Sequence, residues 1–321
     1  MTRPPPPFPF FVGCGRSGTT LVRAIFDAHP LLAVPDESYF PYAFALRRRT
    51  YEVGGIVDVA RFCADLAEDG SFARWGVPIE EIAEALREHP PEVLSDALRS
   101  VFATYARAQG KPRYADKTPV FVRHMPALAG LFPESVFVHV VRDGRDVALS
   151  RIATDWSTER VDSEALIWSS AVTTGRRSGA RLGSRRYREL RYEALVDDPE
   201  AAVRDICEFI YLDFDPSMLA HHERASDLVA ALPHPHQHGN VLRAPARTRD
   251  WRTEMTGDDL AVFEAIAGPA LTEMGYERGT SRIPAGVRLG AVSRRARWRL
   301  SRGRKALRRL AWRLLHSVRR R

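Results

Sequence analysis

Two stretches of the chain set a short apolar run before a helical period, a third sets a more polar strand before one, and together they determine the expected architecture. Phe8 to Val12 is apolar and ends at Gly13, after which Leu21, Val22, Ile25 and Phe26 recur at helical spacing. Val136 to Val141 is a β-branched run of the kind found in interior parallel strands, and Val147, Leu149 and Ile152 restart a helical period beyond it. Tyr187 to Tyr192 reads as a third strand, with an amphipathic helix from Pro199 to Tyr211. Residues 113–119 read as a short strand and turn, and 120–131 and 164–182 as helices. Residues 226–250 have no clean period, and Trp251 to Tyr276 is helical with Gly275 as its stop.

Residues 41–110 are mostly helical in pattern, broken at Pro78 and at Pro90-Pro91, and read as a helical insertion that shapes a substrate pocket. The alternation predicts a three-layer α/β domain over residues 1–281, with a mainly parallel central sheet flanked by helices. Residues 282–321 form an appendage.

The turn after the first run carries the clearest chemical signal. Gly13, Gly15 and Gly18 permit a tight turn that presents backbone N–H groups, and the helix that follows directs its positive end to the same place. Gly13-x4-Gly18 followed by Thr19-Thr20 is P-loop-like in spacing, with threonine where a nucleotide triphosphatase carries lysine. A cation stands inside the loop instead, Arg16, with Ser17, Thr19 and Thr20 as neutral donors. The pattern describes an anion nest that lacks the cation for a terminal γ-phosphate.

Charge refines the list of partners. Fifteen of the 48 basic residues fall in 282–321, which contain no Asp or Glu, so the other 281 residues carry 33 basic against 40 acidic. The net +8 therefore belongs to the tail, and no specific nucleic-acid face is expected on the body. On a helical wheel Leu300, Leu307, Leu310, Ala311, Leu314 and Val318 share a stripe away from Arg302, Lys305, Arg309, Arg313 and Arg320, with Trp298 and Trp312 at its flanks. A basic amphipathic helix of this kind suits an anionic membrane surface; a helix packed on the acidic body and a disordered tail fit the composition equally. Cys14, Cys63 and Cys207 are too scattered for a disulfide framework or a metal site, and His234, His236 and His238 lie in a Pro-rich loop without ligand geometry, so no metal is expected. The absence of a secretory pattern points to the cytoplasm, with a peripheral position at the inner face of the membrane if the tail binds lipid.

GlyCysGlyArgSerGlyThrThrLeu at 13–21 and ValValArgAspGlyArgAspValAlaLeuSer at 140–150, each after a strand, resemble the paired signatures of sulfotransferases that use 3′-phosphoadenosine 5′-phosphosulfate (PAPS). The resemblance spans roughly residues 8–278. It implies that Arg16, Ser17, Gly18, Thr19 and Thr20 hold the 5′-phosphosulfate and that Arg142 and Ser150 hold the 3′-phosphate. Glu37 is similar in place to the catalytic glutamate of tyrosylprotein sulfotransferases and their bacterial relatives, with Asp36 as its competitor. Lys117, in AspLysThrPro, matches the lysine that offsets charge on the leaving group, a task shared with Arg16. Arg249 and Trp251 match loosely the late loop that closes over the nucleotide. A lipid, a glycan, a phenolic metabolite and a peptide are all admissible hydroxyl acceptors. Two other classes stay open on the residues alone: a P-loop kinase or nucleotide hydrolase, and a non-enzymatic membrane or nucleic-acid binder built on the basic tail.

Overall fold

The computed structural model describes residues 6–154, 157–223, 225–230, 235–298 and 300–301. The chain forms two compact units, Met1–Arg142 with Ala171–Thr248, and Asp143–Ser170 with Arg249–Arg321. Four strands and four helices carry the functional geometry. The strands are β1 (Phe8–Gly13), β2 (Asp116–Lys117), β3 (Ser135–Val141) and β4 (Tyr187–Arg191). The helices are α1 (Thr19–Asp27), α2 (Gly144–Ile152), α3 (Val161–Leu182) and α4 (Gly257–Glu273).

In the first unit the sheet has the order β2-β1-β3-β4 and every pairing is parallel. β1 and β3 are buried at every position, as a strand covered on both faces must be. Side chains alternate between the faces. On one face Phe11, Val138 and Val140 pack with Leu21, Val22, Ile25 and Phe26 of α1 and with Leu195, Val203 and Ile206 of two later helices, Tyr192–Asp197 and Pro199–Phe209. On the other, Phe10 meets Phe137 and Phe132 at ring separations of 5.4 and 5.8 Å, and Phe8 meets Phe102 at 4.9 Å. Helices Leu94–Ala108 and Met125–Leu131 supply Phe102's and Phe132's neighbourhood there, which completes the three expected layers.

One buried polar residue interrupts that second face. His139 Nδ1 lies 2.7 Å from Tyr187 Oη, and that hydroxyl donates to Glu189 Oε1 at 2.8 Å. Since the Tyr187 proton is already spent, the imidazole must donate from Nδ1. Burial holds this histidine down at about 3, reinforced by Arg176, so it is neutral. Gly175 of α3 passes directly over the ring. A Cβ there would stand 2.5 Å from His139 Cε1 and 2.7 Å from Val122 Cγ2, so only glycine lets the helix approach this closely.

The second unit is organised around Glu264 of α4, a fully buried carboxylate. It accepts from Arg145 Nη1 at 2.9 Å, Arg278 Nε at 2.9 Å and the Gly279 N–H at 2.6 Å. Arg145 also grips Asp143 through two bonds of 3.0 and 2.7 Å and lies 3.5 Å over the Trp251 ring. Residues 285–298 are helical and dock on the same unit, with Arg294 on Asp162 at 2.7 Å and Arg295 on the Ile266 carbonyl at 3.0 Å.

The structure departs from the expected elements in four places. The insertion contains a short antiparallel pair, Glu52–Val53 with Ile56–Val57, formed at the Gly54-Gly55 turn. The run from 120 opens as a 3-10 turn, Pro119–Arg123, before the helix at Met125. The segment 226–250 contains a helix at Ala225–Ala230 and a 3-10 stretch at Pro235–Leu242. The helix from Trp251 breaks at Met255, because Thr256 Oγ1 caps a new start by accepting from the Asp259 N–H at 3.2 Å.

Replacing Gly175 with alanine forces the helix off the sheet and should cost about 1–3 kcal/mol. Urea unfolding would show a lower midpoint at unchanged slope.

Candidate active site

The loop at the end of β1 has the shape the sequence implied. Arg16 is held at φ 74° and Gly18 at φ 92°, two left-handed residues flanking Ser17. For arginine that conformation costs about 1–3 kcal/mol, and it turns successive N–H groups to one side. Gly18 is the N-cap of α1, whose first N–H groups have no partner within the helix. Ser17 Oγ is buried and has no hydrogen-bond partner, while Thr19 is buried and Thr20 half-buried. A Cβ on Gly18 would stand 2.4 Å from the ring of Tyr192, which lies just past β4. The tyrosine ring thus walls the nest, and its hydroxyl donates to the Ala246 carbonyl at 2.7 Å.

Arg142 follows β3 directly and is buried, its guanidinium 4.5 Å from the centre of the same Tyr192 ring. Its Nη2 donates to Thr248 Oγ1 at 3.2 Å. The nest, Lys117 and Arg142 therefore all stand at the carboxyl ends of parallel strands within the first unit, the edge where open α/β sheets receive ligands.

Glu37 reaches that edge through an arrangement that sequence reasoning did not foresee. Leu32–Ala33 pairs in parallel with Arg113–Tyr114, which brings the two following turns together. Ser38 then locks onto the other turn: its N–H donates to Thr118 Oγ1 at 2.8 Å and its hydroxyl donates to Asp116. As a result Lys117 Nζ sits 2.9 Å from Glu37 Oε1, and Tyr39 Oη donates to Glu37 Oε2 at 2.7 Å. The lysine side chain is 1% exposed and the glutamate 28%, so the carboxylate bridges an inner cation and the solvent side.

Asp36 is placed for a different task. It pairs with Arg23 at 3.4 Å and Arg74 at 2.6 Å, and its carbonyl accepts from Trp75 Nε1 at 3.0 Å. Burial pushes its carboxyl up, but Arg23, Lys117 and Arg74 outweigh that and hold it below the usual carboxylate range. Asp116 behaves oppositely. Burial pushes it up to about 7 against the bonds from Ser38 and Thr118, and its Oδ1 has no partner.

The remaining sequence candidates fall in the second unit. Ser150 is half-buried in the last turn of α2. Arg249 pairs with Glu254, and Trp251 is buried under Arg145 with its N–H on Asp146 Oδ1 at 2.9 Å. Among the described residues no group of three or more His, Cys, Asp or Glu is placed to hold a metal ion. His234 lies outside the described residues, as do the side chains of His236 and His238.

Comparison with known proteins identifies the family. The description "Sulfotransferase family" matches residues 7–216. The chain belongs to the sulfotransferase family. Protein-tyrosine sulfotransferase A of Caenorhabditis elegans is 26% identical over 280 residues, covering 84% of this chain and 67% of that protein. Nodulation protein NoeE of Sinorhizobium fredii is 26% identical over 345 residues, covering 94% of this chain and 77% of that protein. Among solved structures, the sulfotransferase domain of a Synechococcus olefin synthase superposes with a TM-score of 0.59 at 22% identity, covering 86% of this chain and 97% of that one. The three-layer fold with a mainly parallel sheet is thus that of a sulfotransferase, and the kinase and non-enzymatic readings fall away.

Ser38, Tyr39 and Thr248 stand beside these candidates although no sequence signal marked them. Asp116, beside Lys117 in AspLysThrPro, is legible as a residue that orients the lysine, and Thr118 is its other flank.

The raised Asp116 fixes the sign of a pH effect. A carboxyl that keeps its proton longer when folded gives stability that is present below the ordinary aspartate pKa and lost as pH rises toward 7. Asp116→Asn, neutral throughout, should therefore melt higher than the native chain at pH 8, by a few kcal/mol at most, about what such a shift allows. The difference should vanish near pH 4, and equal melting curves at both would contradict the raised value.

Proposed function

We propose that this sulfotransferase takes its sulfuryl group from PAPS and passes it to a hydroxyl acceptor, with Glu37 as general base. The observation that carries the reading is the Glu37 carboxylate on Lys117 Nζ, at the sheet edge that also carries the nest and Arg142. The residues suit the donor. A buried, unpartnered Ser17 hydroxyl and a helix start free of a lysine match a phosphosulfate, which has no γ-phosphate to reach.

In this reading Ser17, Gly18, Thr19 and Thr20 cradle the 5′-phosphosulfate. Glu37 takes the acceptor proton, while Lys117 and Arg16 offset charge on the bridging oxygen as the S–O bond breaks. Arg142 and Ser150 are assigned to the 3′-phosphate by their motif, with a permanently charged planar fork suited to phosphate. Arg249 and Trp251, the loosely matched contacts of the late loop, are engaged with Glu254 and Arg145. The name of the nematode relative favours a phenolic hydroxyl as acceptor, on a peptide or a small molecule, over a lipid or glycan alcohol.

Transfer of radiolabelled sulfate from PAPS to a phenol tests the reading. Glu37→Gln should lower turnover by about 10²–10⁴-fold, the usual share of a general base, while adenosine 3′,5′-bisphosphate still binds. Full activity in that variant would remove Glu37 from the mechanism. Lys117→Met should lower turnover by about 10²–10³-fold with little change in acceptor KM.

The tail supports a second element, contact with an anionic membrane surface on the cytoplasmic side through residues 282–321. Leu289, Val292 and Leu300 are exposed, although Arg294 and Arg295 are engaged by their own unit. The stripe from Leu307 to Val318 lies outside the described residues. Sedimentation with phosphatidylglycerol vesicles, but not with phosphatidylcholine, is the expected outcome, and truncation after Ser301 should abolish it. Undiminished sedimentation of the truncated chain would place the contact elsewhere.

A further inference from the structure

Each oxygen of the Glu37 carboxylate has a different partner, and the two partners differ in kind. Oε1 holds the Lys117 ammonium at 2.9 Å and Oε2 accepts from the Tyr39 phenol at 2.7 Å. Lys117 is buried, whereas Tyr39 is 47% exposed and approaches from the solvent side. In an in-line displacement the entering and leaving oxygens flank the sulfur on opposite sides. The cation serves the leaving oxygen and the base serves the entering one. The atom bound to the outer oxygen of the base is therefore in the position of the nucleophile. Here that atom is a phenolic oxygen of the chain itself.

We propose that Tyr39 is a site of self-sulfation, its phenol standing where the hydroxyl of an aryl acceptor stands during transfer. The proposal rests on the PAPS reading above. Tyr39 is not free to drift from this position. Ser38 beside it is pinned to Asp116 and Thr118, its own N–H donates to Ser71 Oγ at 3.0 Å, and it caps the helix Phe40–Leu46. The charged groups facing it are Glu37, Asp36 and Arg74. Burial and the neighbouring Glu37 push the phenol up from its ordinary value, so the proton stays on the oxygen until a base removes it during bond formation.

The step balances without any further reagent than PAPS. A lone pair of Tyr39 Oη forms the new O–S bond as the bond from sulfur to the bridging oxygen breaks. That electron pair leaves with adenosine 3′,5′-bisphosphate, and the phenolic proton passes to Glu37. The product, a tyrosine O-sulfate, has no proton left to donate and carries a permanent negative charge. Once Glu37 releases the proton to solvent, its carboxylate repels the sulfate, and the base then opens to solvent. An external acceptor must displace the Tyr39 phenol from the same oxygen, which an aryl hydroxyl can do by substituting like for like.

The test uses the full-length protein incubated with PAPS and no acceptor, followed by peptide mass spectrometry. One SO3 group on the peptide carrying Tyr39 is expected, at a rate per molecule independent of protein concentration. Tyr39→Phe should remove the modification and, having lost a competing hydrogen bond, lower the KM for 4-nitrophenol by about three- to tenfold. Glu37→Gln should also abolish it while calorimetry still detects binding of adenosine 3′,5′-bisphosphate. An unmodified Tyr39, or sulfate on another residue, in a protein that binds the bisphosphate and sulfates 4-nitrophenol would overturn this inference alone. An unchanged KM in Tyr39→Phe would equally overturn it. Failure to bind the bisphosphate at all would overturn the donor reading and this one with it.

Discussion

The pairing of Glu37 with Lys117 depends on one cross-link between two turns, the bonds from Ser38 to Asp116 and Thr118. Neither Glu37 nor Lys117 is placed by regular structure alone. Lys117 ends a strand of two residues, and Glu37 lies four residues beyond another of the same length. What holds them 2.9 Å apart is that the residue after the glutamate is bonded to the residues on both sides of the lysine. The hydrogen-bonding centre of that cross-link is a fully buried carboxyl. A charged Asp116 in this position would bear the cost of desolvation with Oδ1 unpartnered, and the group escapes it by staying protonated toward neutrality. Below about pH 7 the cross-link is therefore neutral hydrogen bonding, which leaves the Lys117 charge to Glu37 rather than to Asp116.

The same economy appears at the ends of β1 and β3. Tyr192 does two things with one ring: it closes the space beside Gly18 and lies under the Arg142 guanidinium. Because the ring is fixed by its hydroxyl on the Ala246 carbonyl, the nest and the arginine are held to a common reference. A bulkier residue than glycine at 18 would have to move this reference as well as adopt a left-handed backbone. The loop's spacing and its tolerance are thus set by a residue more than 170 positions away, as the sequence numbering shows.

Much of the fold was legible in the sequence because it is carried by short apolar runs with clear periods. Phe8 to Val12 and Val136 to Val141 are buried on both faces, so their composition alone announces interior strands. The loop after β1 was legible because glycines mark left-handed turns, although here Arg16 takes one of the two left-handed positions, which no composition rule would place there. The Ser38 cross-link was not legible. It joins residues 78 and 80 positions apart through side chains, serine and threonine, that are common in every turn. Likewise Tyr39 reads as an ordinary aromatic before a helix until its hydroxyl is seen on the glutamate. The break at Met255 was missed for a related reason, since the apolar period continues across it and only the Thr256 cap interrupts the backbone.

The arginines of the second motif show why spacing is better evidence than charge. ArgAspGlyArgAsp offers two guanidiniums three residues apart, and on composition either could bind a phosphate. Arg145 is spent: Asp143 and Glu264 occupy its donors and Trp251 its face. A buried arginine held by two carboxylates has no charge to offer an anion. Arg142 instead donates to a neutral hydroxyl, that of Thr248, and lies over the face of an aromatic ring. The distinction follows from the strand itself. Arg142 takes the first position past the end of β3, where a side chain meets the ligand edge of the sheet, and Arg145 comes one turn into α2, where it is drawn into the packing of that helix.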